Sequence, residues 1–161
     1  MLTKEDIQKD LNDFFKEQLY QCIDLTGFAI LGVDINVGEL SVNTTLNKDN
    51  VLVKVNYPVT IKKGESELIV SEFNKEIKSP LGELYDVAMD IVDSEAKYGR
   101  FDVLSYSLVH QSKYIIRPYK PYPDKIYVMN IKDDPYIFQF AIQGEGRSFV
   151  GTDLSEEVEN E

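Results

Sequence analysis

The sequence predicts an α+β domain in which an antiparallel sheet of five to seven strands is covered by two helices, in the order α-βββ-α-ββ(β). Apolar residues recur at helical spacing near the N-terminus and again after residue 79, whereas from about residue 30 to residue 77 they alternate with polar ones. Because strands follow strands instead of alternating with helices, we expect antiparallel neighbours. The 161 residues suffice for one domain, predicted over 1–142 and followed by an acidic, disordered tail over 143–161.

The first predicted element is an amphipathic helix over 3–25. Its apolar side chains follow the i, i+4, i+7 spacing that places them on one face. Thr3 is a suitable N-cap, and Asp6 stands three residues later in the position of a capping box. Gly27 marks the end of the helical pattern.

A meander of three strands follows. The predicted strands share a period of two and lie over 40–46, 51–61 and 68–77. Polar turn sequences separate them at 47–50 and 62–65. Pro58 cannot donate to a strand ladder, so it predicts a bulge or an edge position within the second strand.

The second helix is predicted to begin with Ser79 as N-cap and Pro80 at its first position, and to stop at Gly99. Strand patterns follow at 103–111, 114–117, 126–131 and 136–142. The proline-rich segment 118–123 is predicted as a loop and 132–135 as a turn.

The net charge of −11 argues against general binding to nucleic acid or anionic lipid, because like charges repel. The single cysteine, Cys22, excludes an internal disulfide bond. The longest apolar stretch, 27–33, is far shorter than the ~20 residues that cross a bilayer. No signal peptide is recognisable at the start, yet residues 1–3 lead directly into a helix cap, so we keep open that an upstream membrane anchor has been removed.

Motifs of common enzyme classes are absent from the sequence: there is no phosphate-binding glycine loop, no Gly-x-Ser-x-Gly and no His-Glu-x-x-His. A nucleophilic pair could be formed only by Cys22 and His110, but Cys22 lies on the apolar stripe of the first helix, where a buried structural thiol is the favoured interpretation. No cofactor and no metal site is predicted.

Four carboxylates share one face of the second helix: Glu83, Asp86, Asp90 and Asp93. Their spacing of three, four and three residues would let a cation bridge them. The favoured interpretation is the solvent-facing side of an amphipathic helix.

The candidate binding surface is a locally basic segment in this acidic chain, over 113–125. Tyrosines alternate there with cations, a mixture suited to an acidic peptide or a glycan, or to base stacking beside phosphates. The alternative is a rigid connection whose tyrosines pack on the sheet. The candidate residues are Lys113, Tyr114, Arg117, Tyr119, Lys120, Tyr122 and Lys125.

Three stretches carry a family resemblance: VKVNYPVTI at 53–61, LGELYDVA at 81–88 and DPYIFQFA at 134–141. Over roughly residues 10–142, their order and spacing resemble the outer domain of uncharacterised archaeal single-pass membrane proteins. The resemblance implies a hydrophobic helix upstream of a polar helix that ends near a cysteine, here Cys22. This chain lacks the upstream helix, which truncation would explain. The family supplies no activity and no catalytic residues.

The expected function is a non-catalytic binding or assembly module, membrane-tethered and extracytoplasmic if the resemblance holds and cytoplasmic otherwise. Asn43-Thr44-Thr45 fits an N-glycosylation sequon, a pattern expected about once by chance in this composition. Candidate partners are a protein, a glycan or a second copy of the chain. The alternatives are a small enzyme with a cleft between the sheet and the first helix, and a cytoplasmic self-associating protein of a virus or mobile element.

Overall fold

A computed structural model describes residues 3–29 and 32–144, and it confirms the α+β class with antiparallel strand pairing. The predicted tail beyond residue 144 lies outside the described residues. The described elements, in chain order, are α1 (Lys4–Cys22), α2 (Thr26–Ala29), β1 (Asp34–Val37), β2 (Ser41–Leu46), β3 (Asn50–Lys63), β4 (Ser66–Lys78), α3 (Leu81–Tyr98), α4 (Val103–Val109), β5 (Tyr114–Tyr119), β6 (Lys125–Ile131) and β7 (Phe138–Ile142).

The strands divide into two sheets where the sequence predicted one. In the first sheet, β3 pairs with β4 along one side, and with β2 and then β1 along the other. The second sheet has the order β5-β6-β7. Helix α3 follows β4 and leads the chain into the second sheet, so β5 pairs with β6 instead of extending the first sheet.

The bulge predicted at Pro58 is confirmed. Between Asn56 and Val59, β3 advances by three residues while β4 advances by two, from Glu72 to Val70. The extra residue is accommodated where proline has no N–H to contribute.

Each sheet has its own apolar core. The core of the second sheet is formed by α3 and the strands beneath it, with eight buried residues: Leu84, Val87, Ala88, Ile91, Tyr114, Ile116, Tyr127 and Met129. The core of the first sheet has three buried residues, Leu46, Val51 and Val53, against which partly buried side chains of α1 pack. Helix α1 contains no fully buried residue.

The start of α3 joins the two sheets. Glu83 N–H donates to the Lys48 carbonyl at 3.0 Å, and Ser79 N–H donates to the Asp49 carbonyl at 3.0 Å, so the helix is held against the β2–β3 turn. Gly82 lies so close to this turn that a Cβ there would stand 2.0 Å from the Asn47 carbonyl oxygen. Only glycine permits this approach without a backbone shift.

The strand predicted over 103–111 is wrong, because Val103–Val109 forms α4. Asp102 caps this helix, since its side chain accepts hydrogen bonds from Leu104 N–H and Ser105 N–H, both at 3.1 Å. Val103 and Tyr106, three residues apart, pack on the second core. The sequence predicted a strand here because the same segment also fits the alternating pattern of a strand.

Most other boundaries shift by a few residues. The capping box of Thr3 and Asp6 is confirmed, as is Gly99 at the end of α3, where its φ is +68°. Helix α3 begins at Leu81, later than predicted, and the Ser79 hydroxyl accepts a hydrogen bond from Leu81 N–H at 3.3 Å. Strand β5 extends through Tyr119 into the predicted loop. Among the described residues, no helix combines the length and the hydropathy that crossing a membrane requires.

Candidate functional site

Three residues of the predicted basic surface form internal bonds. Lys113 Nζ and the Tyr114 hydroxyl both donate to the Glu83 carboxylate, the tyrosine at 2.6 Å. Lys125 Nζ donates to the Glu95 carboxylate and, at 2.8 Å, to the Gly99 carbonyl. These contacts attach the ends of β5 and β6 to α3, so all three residues have a structural role in the fold.

Glu83 was predicted on the solvent-facing side of its helix, and that prediction is wrong. Its exposure is only 8%, because Lys113 and Tyr114 lie against it. Burial acts to raise the pKa of this carboxyl, but the hydrogen bonds from Lys113 and Tyr114 outweigh burial and hold the pKa below its ordinary value. The other members of the predicted face, Asp86, Asp90 and Asp93, are exposed.

Glu95 repeats this arrangement at the other end of α3. Lys125 Nζ and the Tyr127 hydroxyl donate to its carboxylate, and the net effect again lowers the pKa against the opposing effect of burial. The sequence interpretation missed Glu95. It stands four residues after Ile91 on the apolar stripe of α3, where a carboxylate needs buried partners.

The tyrosines of this region are held neutral. Burial, together with a hydrogen bond to a carboxylate, raises the pKa of Tyr106, Tyr114 and Tyr127 above its ordinary value. The Tyr106 hydroxyl donates to Asp90 at 2.7 Å. General acid–base catalysis near pH 7 needs shifts toward neutrality, whereas these carboxyl and phenol pKa values move away from it. The network therefore has the properties of a structural support.

The cysteine–histidine pair is not assembled. Cys22 is exposed at the end of α1, which contradicts its predicted burial. His110 follows α4 and packs against the rings of Tyr106 and Tyr114, with centroid separations of 4.2 and 5.4 Å. Helix α1 lies on β2 of the first sheet, whereas α4 lies beside β5 of the second. Within residues 3–29 and 32–144, no group of three His, Cys, Asp or Glu side chains is placed to hold a metal ion.

The remainder of the predicted basic surface is exposed. Arg117 and Tyr119 lie at the end of β5, and Lys120 and Tyr122 lie in the following loop. Tyr119 is 54% exposed and Tyr122 is 78% exposed. These four side chains remain a predicted binding surface.

An apolar groove lies between the end of α1 and the β3–β4 hairpin. We call it the hairpin groove; its volume is about 600 Å³. Nine of its ten lining side chains are aliphatic or aromatic. The ten are Leu19, Ile23, Leu25, Val55, Tyr57, Val59, Ile61, Val70, Phe73 and Lys75.

The outer edge of β4 runs beside this groove. Strand β4 pairs with β3, and no described strand pairs with its other side over its 13 residues. Leu68, Ile69 and Phe73 are 57%, 64% and 47% exposed on it. The alternating pattern predicted this strand, but alternation does not distinguish an edge strand from a central one.

The sequon asparagine, Asn43, is exposed on β2. The next residue, Thr44, is buried, and its backbone N–H donates to Asn12 Oδ1 at 2.6 Å. Glycosylation of Asn43 stays a prediction.

No family model, curated protein or solved structure matches the chain. The resemblance to archaeal single-pass membrane proteins therefore rests on the stretches quoted for it.

Proposed function

We propose that this chain is a non-catalytic assembly module that binds a polypeptide along the β3–β4 hairpin. One observation carries the proposal: a strand edge of 13 residues, with which no described strand pairs, runs beside an apolar groove of about 600 Å³. An exposed edge offers main-chain hydrogen bonds to an added strand, and an adjacent groove selects its side chains.

The edge and the groove belong to one surface, because Val70, Phe73 and Lys75 are residues of β4 that line the groove. A bound strand would therefore meet apolar side chains and unpaired backbone groups together. Proteins protect exposed edges with proline, bulges, short strands or charged side chains. Strand β4 contains no proline and is long, and its five charged residues are of both signs, so an added strand can pair with them.

The second sheet differs from this surface in its polar contacts. Its ion pairs and tyrosine–carboxylate bonds leave no buried side-chain polar atom unpaired among the described residues. The pKa values of its paired carboxyl and tyrosine groups are shifted away from neutrality, which does not suit general acid–base catalysis. The resemblance stated above favours attachment of this module to the outer face of a membrane.

A second candidate surface is the exposed part of the basic loop. It is favoured by Tyr122, which is 78% exposed beside Lys120 and a short distance along the chain from Arg117. Exposed tyrosine beside cations suits an acidic peptide or a glycan.

Site-specific photo-crosslinking of the full chain in its own cells tests the proposal. A benzophenone amino acid replaces Phe73 on the hairpin, Tyr122 on the loop, or Tyr98 at the end of α3 as the control. We expect a discrete polypeptide adduct at position 73 and none at position 98, where the side chain is 64% exposed. An adduct at position 122 alone would show that the partner binds the loop and not the hairpin.

The partner identified by mass is then purified and titrated with the unmodified chain. Substitution Ile69→Asp, at a side chain that is 64% exposed, should weaken binding at least tenfold without altering the fold. The proposal is wrong if position 73 gives no adduct, or if Ile69→Asp binds like the original chain.

A further inference from the structure

We infer that the hairpin groove binds a free fatty acid, with the acyl chain along the floor of the groove and the carboxylate at Lys75. The inference concerns the groove and not the outer edge of β4. It adds a small ligand to the polypeptide of the proposed function, and it stands or falls without that polypeptide.

The floor of the groove is a continuous apolar row on β3. Every second residue from Val55 to Ile61 lines it, so four side chains of one strand face the same space. At about 3.3 Å per residue, this row is about 20 Å long, which suits an extended acyl chain. The groove volume of about 600 Å³ also lies within the ~300–1,000 Å³ of small-molecule sites.

Both walls of the groove are apolar as well. One wall is the end of α1 with the residues just after it, and the other is β4; their apolar side chains are Leu19, Ile23, Leu25, Val70 and Phe73.

Hydrogen-bonding atoms are scarce in this lining. Among the ten lining side chains, only the Tyr57 hydroxyl and the Lys75 ammonium carry them. A polar group that is buried without a partner costs free energy, so the groove favours a ligand whose buried part has no polar atom. An acyl chain meets this requirement along its whole length, whereas a peptide backbone laid along the floor does not.

The charge of the groove lies at one end. In the β3–β4 pairing Lys75 lies opposite Val53, two residues beyond the floor residue Val55, and from there the floor runs toward Ile61 near the tip of the hairpin. Lys75 is exposed, and no carboxylate of the described residues forms a salt bridge with it. A cation at one end of an apolar floor is complementary to a carboxylate at one end of an acyl chain.

Two features favour a free acid over the surface of a membrane. The chain carries a net charge of −11, so an anionic bilayer would repel it as a whole. The hairpin tip carries an ion pair in which Lys62 Nζ lies 3.4 Å from Glu67 Oε1, and insertion of the tip into hydrocarbon would have to desolvate that pair. A single carboxylate beside Lys75 requires neither.

Isothermal titration calorimetry of the full chain tests the inference. The probes are decanoate, decanol and decyltrimethylammonium, which share one chain length and differ in the charge of the head. All are used below their micellar concentrations, at a pH well above the pKa of the free acid. We expect one decanoate per chain, bound at least about threefold more tightly than decanol, because an exposed ion pair contributes modestly. Octanoate should bind more weakly than decanoate by about fourfold for each buried methylene that is lost.

Substitutions in the groove should change this binding. Lys75→Glu should weaken decanoate at least tenfold and make decyltrimethylammonium the tighter ligand of the two. Phe73→Asp places a carboxylate in the apolar wall, at a side chain that is 47% exposed, and should abolish decanoate binding. The control Lys54→Glu makes the same charge change on β3 at a residue that does not line the groove, and should leave the affinity unchanged. Circular dichroism of each variant checks that the fold is retained.

Three results would overturn the inference: no binding of decanoate, equal binding of the three heads, or unchanged decanoate affinity in Lys75→Glu. Sedimentation with vesicles of phosphatidylglycerol or phosphatidylcholine tests the membrane directly, and vesicle binding without decanoate binding would overturn it as well.

The proposed function keeps a separate readout. Ile69 does not line the groove, so Ile69→Asp should leave decanoate binding unchanged while it weakens the polypeptide partner. Decanoate binding without a position 73 adduct would therefore remove the proposed function alone, and an adduct without decanoate binding would remove this inference alone.

Discussion

The two sheets of this protein are covered by helices in different ways. Helix α3, which covers the second sheet, has seven buried residues, whereas α1, which lies on the first sheet and is one residue longer, has none. The longest hairpin belongs to the less covered sheet, with Leu68 and Ile69 exposed near its tip. An amphipathic helix can therefore pack on a sheet without burying any of its own residues fully.

The polar contacts differ in the same direction. Under α3, buried Glu83 and Glu95 each bind a lysine and a tyrosine from the strands. Helix α1 contacts β2 through partly buried hydrogen bonds: Thr44 donates to the Asn12 side chain and the Gln8 carbonyl, and Leu46 N–H donates to the Gln8 side chain. The second sheet is therefore joined to its helix by buried ion pairs, whereas the first sheet is joined to its helix by partly buried hydrogen bonds.

The largest expected effect lies in the core of the second sheet. Ile91 is fully buried, so Ile91→Ala should lower the free energy of unfolding by about 3 kcal/mol through lost contacts and a residual cavity. The matched variant Ile69→Ala, at a residue that is 64% exposed, should lower it by less than about 0.5 kcal/mol. Urea denaturation of both variants measures the difference, and equal losses would remove the contrast between the two sheets.

A smaller effect is expected from the ion pair at the end of α3. Glu95→Gln leaves the Lys125 ammonium without its counter-charge beside Tyr127, and should lower the free energy of unfolding by about 2 kcal/mol. The control is Asp86→Asn, which breaks the exposed Lys4–Asp86 pair of 3.3 Å and should cost about 0.5 kcal/mol or less. If the two substitutions cost the same, the buried pairs do not distinguish the second sheet.

The most gradual effect is the response to acid. The pKa of Glu83 and that of Glu95 lie below the ordinary value of 4.5, so the unfolded chain binds more protons as the pH falls. Their stabilisation is present above about pH 4.5 and is lost as the pH falls through that value toward the lowered pKa values. Thermal melting between pH 6 and pH 3 should therefore show a falling Tm, with a shallower slope in the Glu83→Gln/Glu95→Gln double variant. Parallel slopes would show that other carboxyls determine the acid response.

Local signals were enough to predict most elements. The Thr3 capping box, the bulge at Pro58 and the stop at Gly99 each depend on backbone chemistry within a few residues. Helix α4 was predicted as a strand because its seven residues fit both the helical period and the alternating period of a strand. The capping residue Asp102 is the local signal that favours the helix.

The candidate site was predicted less well, because its residues are defined by partners far along the chain. Lys113 and Lys125 were predicted to belong to a free basic surface. In the structure Lys113 binds Glu83 and Lys125 binds Glu95, and each partner is 30 residues away along the chain. Cys22 is the last residue of its helix and is exposed, whereas its neighbour Ile23 lines the hairpin groove. Neither outcome is visible from spacing alone.

The two long helices α1 and α3, the strands β2 to β4 between them, the antiparallel pairing and the negative charge were therefore determined by the sequence, because propensity, periodicity and turn chemistry act over a few residues. The division into two sheets, the burial of Glu83 and Glu95 and the open edge of β4 depended on how α3 packs after β4. Packing of that kind is set by contacts between distant segments, and a period of two is the same in a covered strand as in an exposed one.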